Sequence, residues 1–233
     1  MPNHCTNNLT IQGDRDEIVR FWNDVQSIDD EGKPMVRLVS LLPMPDALEG
    51  TESPTPTSPE PHPNWINLLN NGEITQKWHD ELVSNNIQRY ENGQKAYKET
   101  GYHNWYEWAD QKWGTKWGDY DTYLTSDALE DTLSSGEIQI VYTTAWCPLS
   151  ESFYETISSK YPTLVFRISY TEEGANFVGH MVVCDGDVLY AECVEPEVVP
   201  YDKNEDMDEY YEKHDEAVTE ALDRLIEDGE KVI

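Results

Sequence analysis

The feature that most constrains the fold is a strict alternation of apolar and polar residues at positions 164–170. The apolar members occupy every second position, as Leu164, Phe166, Ile168 and Tyr170. A period of two predicts a β-strand with one buried face. Residues 177–184 and 188–193 predict two further strands, joined by Asp185-Gly186, a dipeptide typical of tight hairpin turns. This part of the chain is therefore predicted to form an antiparallel meander.

A strand followed by a helix precedes the meander. Residues 137–146 alternate in strand fashion, and Ser150 is placed to cap a helix whose Phe153 and Ile157 face inward. Pro162 ends that helix before the next strand begins. The segment therefore reads as strand, helix and strand.

The start of the chain has a similar order. Residues 9–12 predict a strand, and Asp14 with Glu17 resembles a capping box that begins a helix. That helix has one apolar face, formed by Ile18, Phe21, Trp22, Val25 and Ile28. Residues 35–42 predict a further strand, which ends at Pro43.

These elements predict an α+β protein with a ferredoxin-like split β-α-β sandwich, a largely helical insert and a C-terminal acidic helix. Prolines at 54, 56, 59, 61 and 63 predict a polyproline-like spacer before the insert, or a ligand for a proline-binding module. We divide the chain into a first half of the ferredoxin-like domain at 1–48, a proline-rich linker at 49–63, a helical aromatic-rich insert at 64–136, a second half at 137–201 and an acidic helix at 202–233.

The charge of the chain indicates the kind of partner. Asp and Glu number 46 against 16 Lys and Arg, which gives a formal net charge of −30. Such a field repels phosphate groups, so direct binding to nucleic acid or to an anionic membrane is not expected. It attracts basic surfaces, such as the nucleic-acid-binding faces of other proteins, and it speeds association with them. The competing interpretation is that the acidity serves solubility alone.

The C-terminal segment carries a large share of this charge. Residues 192–233 contain 16 acids and 4 bases, a net charge of −12. Apolar residues from Tyr210 to Leu225 recur at helical spacing and predict a helix that packs on the body or on a partner. Its acids form either a solvated face or an interaction surface. The acids that we predict to bind a partner are Asp208, Glu209, Glu212, Glu216 and Glu220.

An aromatic cluster with interspersed acids is the second candidate surface. Tryptophan and tyrosine anchor many protein interfaces, and their rings attract Arg and Lys side chains. The alternative is that these rings form a packed core. The members that we predict to bind a partner are Trp105, Trp108, Trp113, Trp117, Asp119 and Asp121.

Three segments resemble the YubB-like ferredoxin-like family of phages, prophages and plasmids. They are Met1–Thr10, the run from Asn104 through Trp108 to Trp113–Trp117, and Thr143–Pro148. The motifs occur in family order, and with the strand pair that follows they span roughly residues 1–185. The resemblance implies a fold and a mobile-element origin, and it implies no established activity.

No catalytic motif is found in the sequence. A phosphate-binding glycine loop, a nucleophile elbow and a zinc-protease motif are all missing, and we predict neither enzyme activity nor a cofactor. The four cysteines, at 5, 147, 184 and 193, lack the close pairs typical of zinc sites, so no metal is predicted, although His4, Cys5, His180 and Cys184 could in principle converge on one. An acid/base dyad, formed by two carboxylates that pair in a cleft, is left open as an alternative.

Two hypotheses for the function follow. In the first, the chain is a non-enzymatic phage or mobile-element protein. It binds a basic, nucleic-acid-binding protein of the host and inhibits or modulates it. The acids of the chain then partly imitate DNA, as in inhibitors of the anti-defence type. In the alternative, it binds or hydrolyses a small molecule in a pocket between the sheet and the aromatic insert. A structural assembly component is a third option.

The chain shows neither an apolar run of membrane-spanning length nor a signal peptide, so a cytoplasmic location in a bacterial host is expected. The oligomeric state is left open.

Overall fold

The computed structural model describes residues 3–28, 31–32, 34–124, 136–174, 176–197 and 206–233. The chain divides into two compact units, one formed by Met1–Pro43 with Lys112–Ile233 and the other by Met44–Gln111. The elements in chain order are β1 His4–Gln12, α1 Arg15–Val25, β2 Gln26–Ile28, β3 Pro34–Val36, α2 Pro63–Asn70, α3 Gln76–Thr100, α4 Trp105–Lys112, β4 Tyr120–Leu124, β5 Glu137–Ala145, α5 Glu151–Ser158, β6 Val165–Glu172, β7 Val178–Cys184, β8 Asp187–Val194 and α6 Met207–Glu230.

The first unit is built on a six-stranded sheet with the order β4-β5-β1-β6-β7-β8. Every pair of neighbouring strands is antiparallel. Since β5 and β6 both run antiparallel to β1 between them, they run parallel to each other, and α5 joins them as a split β-α-β unit. β1 and β4 likewise run parallel to each other, because both are antiparallel to β5 between them. The predicted ferredoxin-like α+β fold is confirmed, and β7 and β8 extend its sheet beyond β6.

One face of the sheet forms the core with α1 and α5. Alternation along β1 buries Cys5, Asn7, Leu9 and Ile11 on this side. Phe21 of α1 packs against Phe166 of β6 with ring centroids 5.7 Å apart. The hydroxyl of Tyr154 on α5 lies 2.5 Å from that of Tyr142 on β5, so each buried phenol has a hydrogen-bond partner.

The C-terminal helix α6 packs on the opposite face. Arg167 alternates with the core residues of β6, and its Nε lies 2.9 Å from Oε1 of Glu230 on α6. Leu225 and Gly229 are the buried residues of α6. Covered on both faces, β7 has six consecutive buried residues, Val178–Val183. The apolar stripe of the acidic helix therefore packs on the body of this unit.

Residues 35–42 differ from the single strand that their sequence predicts. β3 ends at Val36 in a two-stranded ribbon with β2, and residues Leu38–Leu41 form a 3₁₀ turn. The reason lies 81 residues further along the chain, because the carboxylate of Asp119 accepts hydrogen bonds from the backbone amides of Leu38 and Val39. Those amides are then unable to pair with a neighbouring strand.

The predicted helical insert at 64–136 also differs, because β4 at its end belongs to the main sheet. Residues 125–135 of that segment, and the predicted boundary at 201/202, lie outside the described residues. Within the second unit, the proline-rich segment is held against α3 rather than free as a spacer. The guanidinium of Arg89 donates to the backbone carbonyl of Pro54. The side-chain amide of Asn86 donates to the backbone carbonyls of Ser58 and Glu60.

Candidate partner-binding surfaces

Helix α6 carries ten acids and two bases, and six of the acids form one row along its exposed side. They are spaced three or four residues apart, which places neighbours one helical turn from each other. All six side chains are exposed: Glu209, Glu212, Glu216, Glu220, Asp223 and Glu227. We call this set the acidic row. Glu209 forms an ion pair with Lys213, with a nitrogen–oxygen distance of 2.9 Å.

The acidic row lies opposite the face by which α6 is held. Leu225 and Gly229, which are buried against the sheet, are one turn apart on the other side of the helix. The side chain of Asp206 accepts a hydrogen bond from the backbone amide of Asp208 and so caps the N-terminal end of α6, which is exposed. The predicted acids Asp208, Glu209, Glu212, Glu216 and Glu220 therefore all face solvent.

The predicted aromatic cluster is divided between the two units. Trp105 and Trp108 belong to the second unit, where Trp108 is 4% exposed and the backbone amide of Trp105 donates to Oγ1 of Thr51 at 2.9 Å. Trp113 belongs to the first unit, where it is 8% exposed and its indole nitrogen donates to the carbonyl of Leu42 at 2.9 Å. For Trp108 and Trp113 the structure corrects the prediction of a partner contact, because their rings are used in packing.

Asp119 is also removed from the predicted partner-binding set. It is 1% exposed, and besides the amides of Leu38 and Val39 it accepts a hydrogen bond from Oγ1 of Thr122 at 3.0 Å. Burial raises the pKa of its carboxyl, although these hydrogen bonds act in the opposite direction. The side chain caps a 3₁₀ turn, and no part of it is available to a second protein.

Trp117 and Asp121, the remaining predicted residues of the first unit, are exposed. The ring of Trp117 lies 5.7 Å from that of Trp146 with an angle of 31° between the planes, and the two side chains are 41% and 45% exposed. The ammonium of Lys116 lies 4.9 Å from the Trp117 centroid and 5.9 Å from the Trp146 centroid. The two rings thus already hold a cation.

The backbone holds Trp146 in an uncommon conformation. Its φ is +67°, in the left-handed region that a bulky residue adopts at a cost on the order of 1 kcal/mol. Its amide donates to the carbonyl of Asn3 at 2.9 Å, which fixes the residue at the start of β1. Trp146 lies in one of the three segments that resemble the YubB-like family, but nothing in the sequence indicates that it contacts Trp117.

His4, at the start of β1, contacts a side chain of β4 and a carboxylate that follows β6. Nδ1 of His4 lies 2.8 Å from the hydroxyl of Tyr120, and the His4 amide donates to the carboxylate of Glu173 at 3.1 Å. The pKa of Tyr120 is raised by burial and then by the nearby charges of Asp121 and Glu173. We call the surface formed by Lys116, Trp117, Trp146, His4, Tyr120, Asp121 and Glu173 the aromatic edge.

The second unit contains a polar cavity of about 380 Å³. Its lining is rich in amides, from Asn85, Asn86, Gln88 and Asn92, with Trp65 at its side. Arg89 reaches from this cavity to Glu52, with Nε 3.0 Å from Oε2. The cavity has no convergent carboxylate pair of the kind that acid/base catalysis requires.

In the described ranges no three His, Cys, Asp or Glu side chains are grouped so that they could hold a metal ion. None of the helices in the described part of the chain combines the length and apolar content needed to cross a membrane.

Comparison with known proteins identifies the fold but no activity. Residues 112–220 match the family model described as the ferredoxin-like domain in Api92-like protein. The crystal structure of the protein api92 from Yersinia pseudotuberculosis is similar with a TM-score of 0.45 and 10% sequence identity, over 86% of this chain and 100% of that one. No curated protein has a sequence that matches this chain. The chain therefore contains a ferredoxin-like domain similar to the one in Api92-like proteins.

Proposed function

We propose that this chain is a non-enzymatic protein of a phage or other mobile element that binds a basic, nucleic-acid-binding protein of its bacterial host and modulates or inhibits it. The observation that carries the proposal is the acidic row on α6, whose six carboxylates all face solvent. The net charge of −30 supports it, because a field of that sign attracts a basic surface and repels nucleic acid. The mobile-element origin is supported by the resemblance to the YubB-like family.

The geometry of the row supports partial imitation of DNA. A helix of 24 residues is roughly 36 Å long, and acids three or four residues apart are separated by roughly 5 Å along its axis. One strand of B-DNA carries a charge every 3.4 Å or so. The acidic row is therefore a sparser line of negative charge than a phosphate backbone, but it is continuous and straight enough to face a line of Lys and Arg side chains.

The experiment that tests the proposal is capture of host proteins on the immobilised full chain at low and at high salt. The test variant is Glu212→Gln with Glu216→Gln and Glu220→Gln, which removes the centre of the row and leaves the Glu209–Lys213 pair intact. The matched control is Glu73→Gln with Glu91→Gln and Glu99→Gln, three exposed acids of the second unit, which changes the net charge by the same amount.

We expect the chain to retain a basic protein at low salt and to release it at high salt. The row variant should retain about tenfold less of it, because charge complementarity controls both encounter and dwell time. The control variant should behave as the parent chain does. Equal loss in both variants would assign binding to net charge alone, and capture that resists salt would contradict the proposal.

A ligand-binding or hydrolytic role in a pocket between the sheet and the aromatic insert, the alternative, stays a prediction; the polar cavity lies at a different place, within the second unit. Its separate test is a thermal-shift screen of the full chain against small metabolites, with Asn92→Ala as the variant that alters the polar cavity of the second unit. A stabilising ligand whose effect is lost in that variant would favour it over the first proposal.

A further inference from the structure

The aromatic edge contains two exposed tryptophans whose rings are in contact. The ring planes of Trp117 and Trp146 are tilted by 31°, and each side chain is more than two-fifths exposed, whereas Trp108 and Trp113 are buried. Exposed indoles beside polar groups are typical of interface anchors. We propose that the Trp117–Trp146 pair is the anchor that receives an arginine side chain of the basic partner, an inference that rests on the proposed function and names a second contact site for it.

A cation at this place is directly observed within the chain. Lys116 lies within 6 Å of both ring centroids, at 4.9 Å and 5.9 Å, which is the range of cation–π attraction. The rings therefore present their negative faces to a positive group. Lys116 holds the position that the partner's side chain takes on binding, and it is displaced or moved aside when the complex forms.

Arginine fits the pair better than lysine does. Its guanidinium is planar and weakly hydrated, so it stacks on an indole face, whereas an ammonium is a compact and strongly hydrated charge. A single cation can contact both rings, as the ammonium of Lys116 does, and the ring planes are tilted by 31°. A guanidinium that stacks there has N–H groups left over for carboxylates.

Two carboxylates at this end of the sheet, those of Asp121 and Glu173, are the proposed acceptors of those N–H groups. Both Asp121 and Glu173 act electrostatically on Tyr120, which places them at the same end of the sheet, and both are exposed. Glu173 is tied to β1 through the His4 amide, and Trp146 is tied to the same strand through Asn3. Anchors fixed to strands lose little freedom on binding, which favours affinity.

A nucleobase is the other group that stacks on exposed tryptophans. The charge of the chain argues against it, because the phosphates attached to the base would be repelled by a net charge of −30. The proposal therefore commits to a protein segment that contains arginine.

The test measures binding of an oligoarginine peptide, with oligolysine and oligothymidylate as comparison probes, by fluorescence anisotropy on the full chain at low salt. The first variant combines Trp117→Ala with Trp146→Gly, since glycine adopts the positive φ of residue 146 without strain. The control is Trp78→Ala, which removes a 50% exposed tryptophan from α3. The second variant is Lys116→Met, which removes the resident charge and keeps the stem.

We expect the double tryptophan variant to bind oligoarginine about 3- to 10-fold more weakly, with a smaller effect on oligolysine and none from Trp78→Ala. Lys116→Met should raise the affinity for oligoarginine by about 2- to 3-fold, because it removes competition for the rings. A gain of affinity is not produced by loss of folding, so this variant keeps the test valid if the first one is unstable.

The outcomes separate the two proposals. Unchanged oligoarginine binding in both aromatic-edge variants, with weaker binding in the acidic-row variant, would overturn the anchor and leave the proposed function standing. No binding of either basic peptide by the parent chain would overturn both. Oligothymidylate binding that depends on the tryptophans would replace the arginine anchor with a base-stacking site.

Discussion

Gly229 of α6 packs directly on the imidazole of His180 in β7. A Cβ atom at residue 229 would lie 2.5 Å from Cδ2 and 2.8 Å from Nε2 of that ring. The contact is therefore possible only for glycine, and it sets how closely the C-terminal helix approaches the sheet. Nδ1 of His180 has its own partner, the hydroxyl of Ser169, at 2.9 Å.

The first prediction concerns this contact. Gly229→Ala should destabilise the packing of α6 by about 1–2 kcal/mol, because overpacking of a close contact exceeds the gain of roughly 1 kcal/mol in helix propensity. Denaturant unfolding and hydrogen exchange of the α6 amides measure the effect. Thr219→Ala, at an exposed position of the same helix, is the control and should be neutral or slightly stabilising. Equal stability of the Gly229→Ala chain and the parent would mean that His180 moves aside at no cost.

The second prediction concerns pH. Burial lowers the pKa of His180 below its usual 6.5, with Glu230 acting to raise it and Arg167 to lower it. Tyr190 of β8 also faces the ring, with centroids 6.0 Å apart. The folded chain binds a proton at His180 less well than the unfolded chain does. The contribution of neutral His180 to the stability of the fold is therefore complete above about pH 6.5, and it is lost as the pH falls below that value.

Unfolding experiments between pH 7 and pH 5 should therefore show a loss of stability that is smaller in His180→Asn, which keeps a hydrogen-bonding group near Ser169. Carboxylates also titrate toward the low end of this range, so the difference between the two chains is the quantity to measure. Parallel curves for parent and variant would contradict a role of His180 in the pH dependence.

The third prediction concerns Asp119. Asp119→Ala leaves the buried amides of Leu38 and Val39 without their acceptor, and we expect a loss of about 2–3 kcal/mol in the free energy of unfolding. Asp119→Asn keeps one acceptor oxygen and should cost less. The folded fraction of either variant should bind a basic partner as the parent does, since this side chain is buried. A specific loss of binding without a loss of stability would return Asp119 to the partner-binding set.

The elements that the sequence predicts well are those whose burial follows local periodicity. β6 and the β7–β8 hairpin follow from strict alternation and from Asp185-Gly186, whose φ values of 49° and 84° match a tight turn with two left-handed residues. The cap at Ser150 was equally predictable, because its side chain accepts from the amide of Phe153 three residues later. Such signals lie within a few residues of each other.

The features that the sequence did not predict depend on contacts between distant residues. The 3₁₀ turn at Leu38–Leu41 requires Asp119, and the tryptophan pair requires β1 and β5 to meet before Trp146 can contact Trp117. β4 is short and has a register shift between Tyr120 and Tyr123, so its pattern carries little strand signal. The acidic row was predicted in part: the predicted set included Glu209, Glu212, Glu216 and Glu220, but it lacked Asp223 and Glu227.

The fourth prediction separates function from stability on α6. Glu212, Glu216 and Glu220 are successive like charges at a spacing of four residues, and each such pair destabilises a helix by roughly 0.2–0.5 kcal/mol. The triple Gln variant should therefore unfold at a slightly higher temperature while it binds the basic partner more weakly. If the acidic row served only to stabilise the helix, the triple Gln variant would be less stable than the parent chain and would bind the basic partner equally well. Opposite signs in the two measurements, made on the same protein preparation by calorimetry and by titration with oligoarginine, would indicate that these carboxylates are placed for a partner at some expense to the helix.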